Sequence, residues 1–157
     1  MPEYKQYIRC HIVKATPMTR GCYNKLRGWE MPANENLDDE GYHIIYPDGY
    51  ESWCPKAQFE AAGNPIDNIT FGQAIDACRY CGKRIHRKGW NGVDQYIEYR
   101  ECAVLFPDDG SGEIKHESTS HAFVFHGKNI RTGETNEQVG WLASQADMAA
   151  NDWVIVD

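Results

Sequence analysis

Thr70-Phe71-Gly72-Gln73-Ala74-Ile75-Asp76-Ala77-Cys78-Arg79-Tyr80-Cys81-Gly82, followed by Lys83-Arg84-Ile85-His86-Arg87-Lys88, is the stretch that decides the fold of this chain. Thr70 and Gln73 have capping-box spacing, so hydroxyl and side-chain amide can each satisfy an orphan backbone N–H at a helix start. Phe71, Ala74, Ile75 and Cys78 then recur at i, i+3, i+4 and i+7, which places them on one helical face. Gly82 stands where such a helix ends, since glycine takes the left-handed conformation of a C-terminal cap without strain. Residues 83–88 then read as a strand. One amphipathic helix running into successive strands predicts an α+β fold, with the helix packed on an antiparallel sheet.

Toward the C-terminus, further strands are expected over 95–106, 113–118 and 121–126, with turn chemistry at Asn91-Gly92 and at Asp108-Asp109-Gly110-Ser111-Gly112. A polar loop is expected from Lys128 to Val139. Ser144 with Asp147 can cap a short helix over 145–150, and Trp153 to Val156 would form the last strand. Toward the N-terminus the chain has its own character. Tyr7 to Val13 alternates like a strand, Thr16 to Gly21 reads as a turn, and Thr19 can cap a helix over Cys22 to Leu26. An acidic loop from Met31 to Glu40 follows. Gly41 to Tyr46 and Tyr50 to Trp53 flank the turn Pro47-Asp48-Gly49, which predicts a hairpin. A short helix from Pro55 to about Ala62 closes the segment, and Gly63-Asn64-Pro65 starts a linker. The expected organisation is a small α+β domain over 1–65 and a second domain over 68–157. There is no internal repeat and no low-complexity tract.

The chain has 157 residues and a formal net charge of −7, with −3 over residues 1–67 and −4 over 68–157. Neither half has the broad basic face that displaces counterions from nucleic acid, so no DNA or RNA polymer is expected as partner. A small anion needs only a local cation cluster. No apolar run reaches membrane-spanning length, and MPEYKQYIRC lacks the pattern of a signal peptide, so a cytoplasmic location is expected. Two thin cores in so short a chain favour association into a homo-oligomer.

Three pieces of the second segment matter together: Ile69 to Ile75, Arg84 to Gly92, and Trp141-Leu142-Ala143-Ser144-Gln145-Ala146-Asp147-Met148-Ala149-Ala150-Asn151-Asp152-Trp153. Their order and spacing resemble the small phage family of Thoeris anti-defence proteins of the second type, over roughly 68–157. Between about 100 and 138 there is no matching motif. The resemblance implies a sponge without catalytic residues, metal or cofactor, which sequesters glycocyclic ADP-ribose signals made by bacterial TIR-domain enzymes in the host cytoplasm. It also implies homo-oligomers, commonly tetramers, with ligand pockets at subunit interfaces; some members hold cyclic oligonucleotides in separate pockets. The alternatives are a binder of cyclic oligonucleotide signals alone, or a phage protein-interaction and oligomerisation module with no nucleotide ligand. In the first segment, Ala15 to Gly21, Arg27-Gly28-Trp29 and Tyr46 to Trp53 resemble a small domain recurring in phage proteins, to which no activity attaches.

The residues themselves suit such a ligand, which presents an adenine, riboses and a pyrophosphate. Lys83, Arg84, Arg87 and Lys88 put four cations within six positions of an otherwise acidic domain. Strand alternation separates Arg84, His86 and Lys88 from Arg87, so only part of the cluster can serve one pocket; a solvated, charge-guarded edge strand is the other reading. Trp90 and Trp141 could stack the base, at roughly 1–3 kcal/mol per base, or belong to the core. Nanomolar capture needs about 12 kcal/mol, so phosphate and ribose contacts must supply the larger share. Ser144, Gln145 and Asp147 sit at an expected helix N-terminus that could face an anion or simply be capped. Asn91 could read a hydroxyl or only shape its turn. The candidate ligand-binding set is therefore Arg87, Lys88, Trp90, Asn91, Trp141, Ser144, Gln145 and Asp147, while Trp153 is assigned to the core.

Cys78 and Cys81 invite a zinc or redox reading, but no second pair at workable spacing completes a site, so core thiols are expected. All six cysteines are read as buried thiols. Acids Glu98, Glu101, Asp147 and Asp152 and histidines 86, 116, 121 and 126 could do acid–base work, yet no nucleophile elbow, HExxH or glycine-rich phosphate loop accompanies them.

Overall fold

The structure, a computed structural model, describes residues 5–7, 10–107 and 114–156, without the side chains of 104–107 and 114–118. Contacts divide the chain into two compact units, Met1–Pro65 and Ile66–Asp157. Each is α+β.

In the first unit β1 (Lys14–Pro17), β2 (Gly41–Ile45) and β3 (Glu51–Pro55) form an antiparallel sheet in that order, with helices α1 (Arg20–Arg27) and α2 (Lys56–Ala62). Thr19 caps α1 through its side chain, which accepts from the Cys22 N–H. The β2–β3 hairpin turns at Gly49, whose φ of 84° demands glycine. The strand expected from Tyr7 to Val13 is absent at Tyr7 and over 10–13, and residues 8 and 9 lie outside those described. Pairing instead takes Lys14 to Pro17, running into the first two residues of what reads as a turn, because register on β2 (Lys14↔Ile45 to Pro17↔Tyr42) governs the strand and all four residues are exposed. No alternation could announce it. Tyr23, Ile44 and the polar pair Asn24 and His43 are buried, and Trp53 donates its indole N–H to the Met18 carbonyl at 2.8 Å.

The second unit carries helix α3 (Phe71–Cys81), strands β4 (Arg84–Arg87), β5 (Val93–Pro107), β6 (Ile114–Lys128), β7 (Thr135–Val139) and β8 (Trp153–Val156), and the single turn α4 (Gln145–Met148). The sheet is antiparallel with order β7-β6-β5-β4-β8. Both halves of the Thr70–Gln73 capping box are made, and Gly82 ends α3 at φ 62°. Ala74, Ala77 and Cys78 of α3 are buried with Ile69, Ile85, Ile97 and Trp153. Fully buried Ile85 and Ile97, paired across β4 and β5, each contribute about 1.5–3 kcal/mol. Ile69 exchanges two backbone hydrogen bonds with Trp153, at 2.9 and 3.2 Å, which ties the start of α3 to β8.

Two expectations change here. The strands read over 113–118 and 121–126 are one strand, β6, since Ser118-Thr119-Ser120 pair without a break opposite Cys102 to Val104. The expected loop 128–139 contains β7, an edge strand exposed at every residue, so burial left no pattern in its sequence. A turn with Gly133 at φ 74° feeds it. The turn expected at 108–112 lies outside the described residues. Beyond Tyr99 and Phe123, β5 and β6 pair only with each other among the described residues, as a two-stranded ribbon.

Of the cysteines, only Cys78 and Cys102 are buried; Cys22 is exposed and Cys10, Cys54 and Cys81 are half-buried. Cys10, Cys22 and Cys54 all belong to the first unit, whose small core does not cover them. Cys78 faces the core as its helical position requires, and burial pushes its thiol up to about 12.

Candidate functional site

The end of β4, the turn after it, α4 and the start of β8 converge on one polar knot. Arg87 is on the same face of β4 as buried Ile85, so its side chain stays near the core. Its Nε donates to Asp152 Oδ1 at 2.8 Å, and its Nη1 donates to Asp147 Oδ1 at 3.0 Å. Gly89 N–H donates to Asp152 Oδ2 at 3.0 Å, closing the turn. Trp90 donates its indole N–H to Asp147 Oδ1 at 3.2 Å. The other oxygen of Asp147 accepts from the Ser144 N–H and hydroxyl at 3.1 and 2.7 Å, while Ser144 Oγ accepts from the Asp147 N–H. Trp153 donates to the Asp147 carbonyl at 3.0 Å.

These contacts set the electrostatics. Burial alone would raise the Asp147 carboxyl, but donors from Ser144, Arg87 and Trp90 outweigh it and hold the group at about 2. The hydrogen bond from Arg87 likewise lowers Asp152, and the two carboxylates raise Arg87. Arg87, with 19% side-chain exposure, is a guanidinium already held between two anions. At the start of α4 the Ser144 N–H is taken by the carboxylate of Asp147 and the Asp147 N–H by the hydroxyl of Ser144.

Against this knot lies an aromatic cluster. Trp153 is fully buried, and Trp90 and Trp141 stand half-buried around it, with centroid distances of 5.5 Å (Trp90–Trp153), 6.1 Å (Trp141–Trp153) and 6.3 Å (Trp90–Trp141), all edge-on. Trp141 is fixed by its backbone N–H, which donates to the Phe123 carbonyl at 2.9 Å. The structure thus brings together Arg87, Trp90, Trp141, Ser144 and Asp147. Lys88, Asn91 and Gln145 are exposed, and their side chains take no part in the knot.

The opposite face of the sheet carries a second cluster. Strand alternation places Arg84, Tyr96, Glu98, Arg100, His126 and Glu137 there. Glu98 takes Arg100 at 2.9 Å, His126 at 3.0 Å and Arg84 at 3.7 Å. Glu137 takes Arg100 at 2.8 Å. His126 stacks on Tyr96 at 4.4 Å and 11°, and the Arg84 guanidinium lies 4.8 Å from the Tyr96 centroid. The sequence singles out Arg84, Glu98 and His126 for other reasons and gives no prominence to Tyr96, Arg100 and Glu137. The i, i+2 spacing of Tyr96, Glu98 and Arg100 is visible in the chain; their cross-strand partners are not. Among the remaining acid–base candidates, His121 is exposed and stacks on Tyr99 at 5.3 Å, while the side chain of His116 lies outside the described ones.

The family model for the Thoeris anti-defense 2-like domain matches residues 69–156, which is nearly all of the second unit. A Bacillus phage SP01 protein named "Thoeris anti-defense 2" is 31% identical over 90 residues, covering 56% of this chain and 94% of its own length. The capped helix, the Arg84–Gly92 strand and turn, and the Trp141–Trp153 segment all fall inside the matched span. Through its second unit, the chain belongs to the Thoeris anti-defense 2-like family.

Proposed function

We propose that this chain is a phage anti-defence protein that blocks Thoeris signalling by sequestering a cyclic ADP-ribose-type signal intact. The observation that carries the reading is the family match across the second unit, over 69–156. The geometry agrees with capture by a surface that already has its shape. Trp90 and Trp141 are clamped by hydrogen bonds and edge-on ring contacts, so a base meeting either ring orders little side chain. Exposed Lys88, Asn91 and Gln145 supply a cation for phosphate and amides for hydroxyls. In this reading Arg87, Ser144 and Asp147 shape the site from beneath, and contact with ligand falls to Trp90, Trp141 and the exposed groups.

The same geometry favours binding over chemistry. A carboxylate at about 2 is a poor general base or acid near neutral pH, and Asp147 is held by three partners. The pocket is expected to be completed by other copies of the chain in a homotetramer, and the N-terminal unit fits a phage origin.

The test is direct. Purified protein is incubated with a cyclic ADP-ribose-type signal, free ligand is assayed, and the protein is heat-denatured and ligand assayed again. Depletion followed by recovery of intact ligand supports sequestration. Depletion with an altered product means an enzyme and overturns the reading, and absence of depletion overturns the choice of ligand in favour of cyclic oligonucleotides or a protein partner.

A further inference from the structure

The first unit contains a cleft that the nucleotide reading does not use. It encloses about 530 Å³ beside α1 and β3, and its apolar walls are Tyr23, Trp29, Pro32, Tyr50, Trp53 and Pro55. Its charge is one-sided, with Glu30, Glu35 and Glu51 against Arg20. A neighbouring cleft of about 430 Å³ shares Arg20, Trp53 and Pro55, and adds Asp39, Glu40 and Glu60 against Lys56. The two adjoin at these shared residues in a furrow whose first part carries most of the aromatic rings and whose two parts each hold more acids than bases.

The furrow's acids differ in how they are occupied. Glu35 accepts from Arg20 at 3.0 Å and from Asn24 at 3.3 Å. Glu51 meets His43 at 2.8 Å and Arg27 at 3.8 Å. Glu30 is exposed and has no ion-pair partner among the described residues. Trp29 and Tyr50 are 55% and 64% exposed, and neither the indole N–H nor the phenol has a hydrogen-bond partner among the described residues. The aromatic faces already accept guanidinium groups from the chain itself, with Arg20 at 4.3 Å from the Trp53 centroid and Arg27 at 5.3 Å from that of Trp29.

A nucleotide would bring negative charge to three glutamates, so this is not a second signal pocket. A compact apolar ligand would leave the adjoining cleft and the unpaired carboxylate unused. We propose that the furrow docks an extended segment of a partner protein that carries proline and arginine. Pre-extended proline-rich backbone loses little entropy on binding, and its rings lie flat on exposed aromatic side chains. The exposed indole N–H and phenol are the donors that such a segment's unpaired carbonyls require. An arginine beside the prolines lies on Trp29 with its guanidinium toward Glu30. The first unit is then a docking module for a basic, proline-containing strand, independent of what the second unit binds.

Full-length protein is titrated into a fluorescein-labelled peptide of Arg-Pro-Pro repeats, followed by anisotropy, with Glu-Pro-Pro and Arg-Ala-Ala peptides as controls. Saturable binding is expected with a dissociation constant of roughly 10–100 μM. Trp29→Ala should weaken it at least about tenfold, and Glu30→Gln about threefold. Both side chains are exposed, so both variants should keep the wild-type circular dichroism. Absence of saturation by about 1 mM, equal binding of either control peptide, or wild-type affinity in both variants overturns the proposal. None of these outcomes depends on whether the second unit captures a nucleotide.

Discussion

The substitution Asp147→Asn removes one charge from the centre of the second unit while keeping the shape of the side chain. The Asp147 side chain is 13% exposed, so solvent screens its contacts little. Its carboxyl is held at about 2 against an ordinary 3.8, and at about 1.4 kcal/mol per unit this corresponds to roughly 2 kcal/mol of stability at neutral pH. The sign follows from the direction of the shift. The native carboxyl titrates below the unfolded one, so the contribution is complete above about pH 4 and is lost as pH falls toward about 2. The variant's amide oxygen would still accept a hydrogen bond, the Ser144 hydroxyl would still cap α4 at the backbone N–H of position 147, and Arg87 would keep Asp152. The new amide nitrogen would face one of the two donor pairs that the carboxylate serves, Arg87 with Trp90 or the Ser144 N–H with its hydroxyl, so an acceptor is lost together with the charge and the charge sets the lower bound of the effect. The assay is amide hydrogen exchange of β4 and β8 as a function of urea, which reports on the second unit alone. The expected result is a loss of at least about 2 kcal/mol at pH 7 together with a flatter acid dependence between about pH 4 and 2. A loss under about 0.5 kcal/mol, or an acid dependence equal to wild type, would refute the claim that Asp147 anchors the knot.

Other outcomes follow from the same geometry. Trp141→Ala should weaken calorimetric binding of a cyclic ADP-ribose-type ligand at least about tenfold without changing the oligomer, and unchanged affinity removes Trp141 from the site. Gly41→Ala places a Cβ in collision with the Trp53 ring and the Cys54 carbonyl oxygen; it should destabilise the first unit by about 2 kcal/mol or more, read as selective loss of exchange protection in β2 and β3. In the native protein at pH 8, a thiol-disulfide reagent should label Cys22 quickly and Cys78 only after denaturation, because burial keeps Cys78 protonated at that pH. Rapid native labelling of Cys78 would contradict its place in the core.

Sequence reveals the elements whose stability is local or whose burial is periodic. The Thr70–Gln73 and Ser144–Asp147 capping boxes, the Pro47-Asp48-Gly49 turn and the buried stripe of α3 are each written in neighbouring residues. β1 and β7 are not legible, because both are exposed edge strands defined by a partner's register. The candidate site is legible as a set of residue types and not as a set of roles. Nothing local shows that Asp152 lies 2.8 Å from Arg87 across 65 positions, or that Asp147 reaches the indole of Trp90. Those two contacts separate the side chains that shape the site from Lys88, Asn91 and Gln145, which stay open to solvent. The outer cluster of Tyr96, Glu98, Arg100 and His126 is assembled by the pairing of β5 with β6, information that one strand alone does not contain.

The ribbon of β5 and β6 beyond Tyr99 and Phe123 constrains how proteins of this architecture can diverge. The stretch from Tyr99 to Pro107 extends about 30 Å, and among the described residues no helix or third strand fixes where this ribbon must stop. Removing or inserting two residues in each strand leaves every remaining side chain on its original face, whereas a change of one inside the strands would invert every side chain beyond it. Drift in the length of this arm should therefore proceed in even steps, while the knot and the tryptophans at its root stay fixed in spacing.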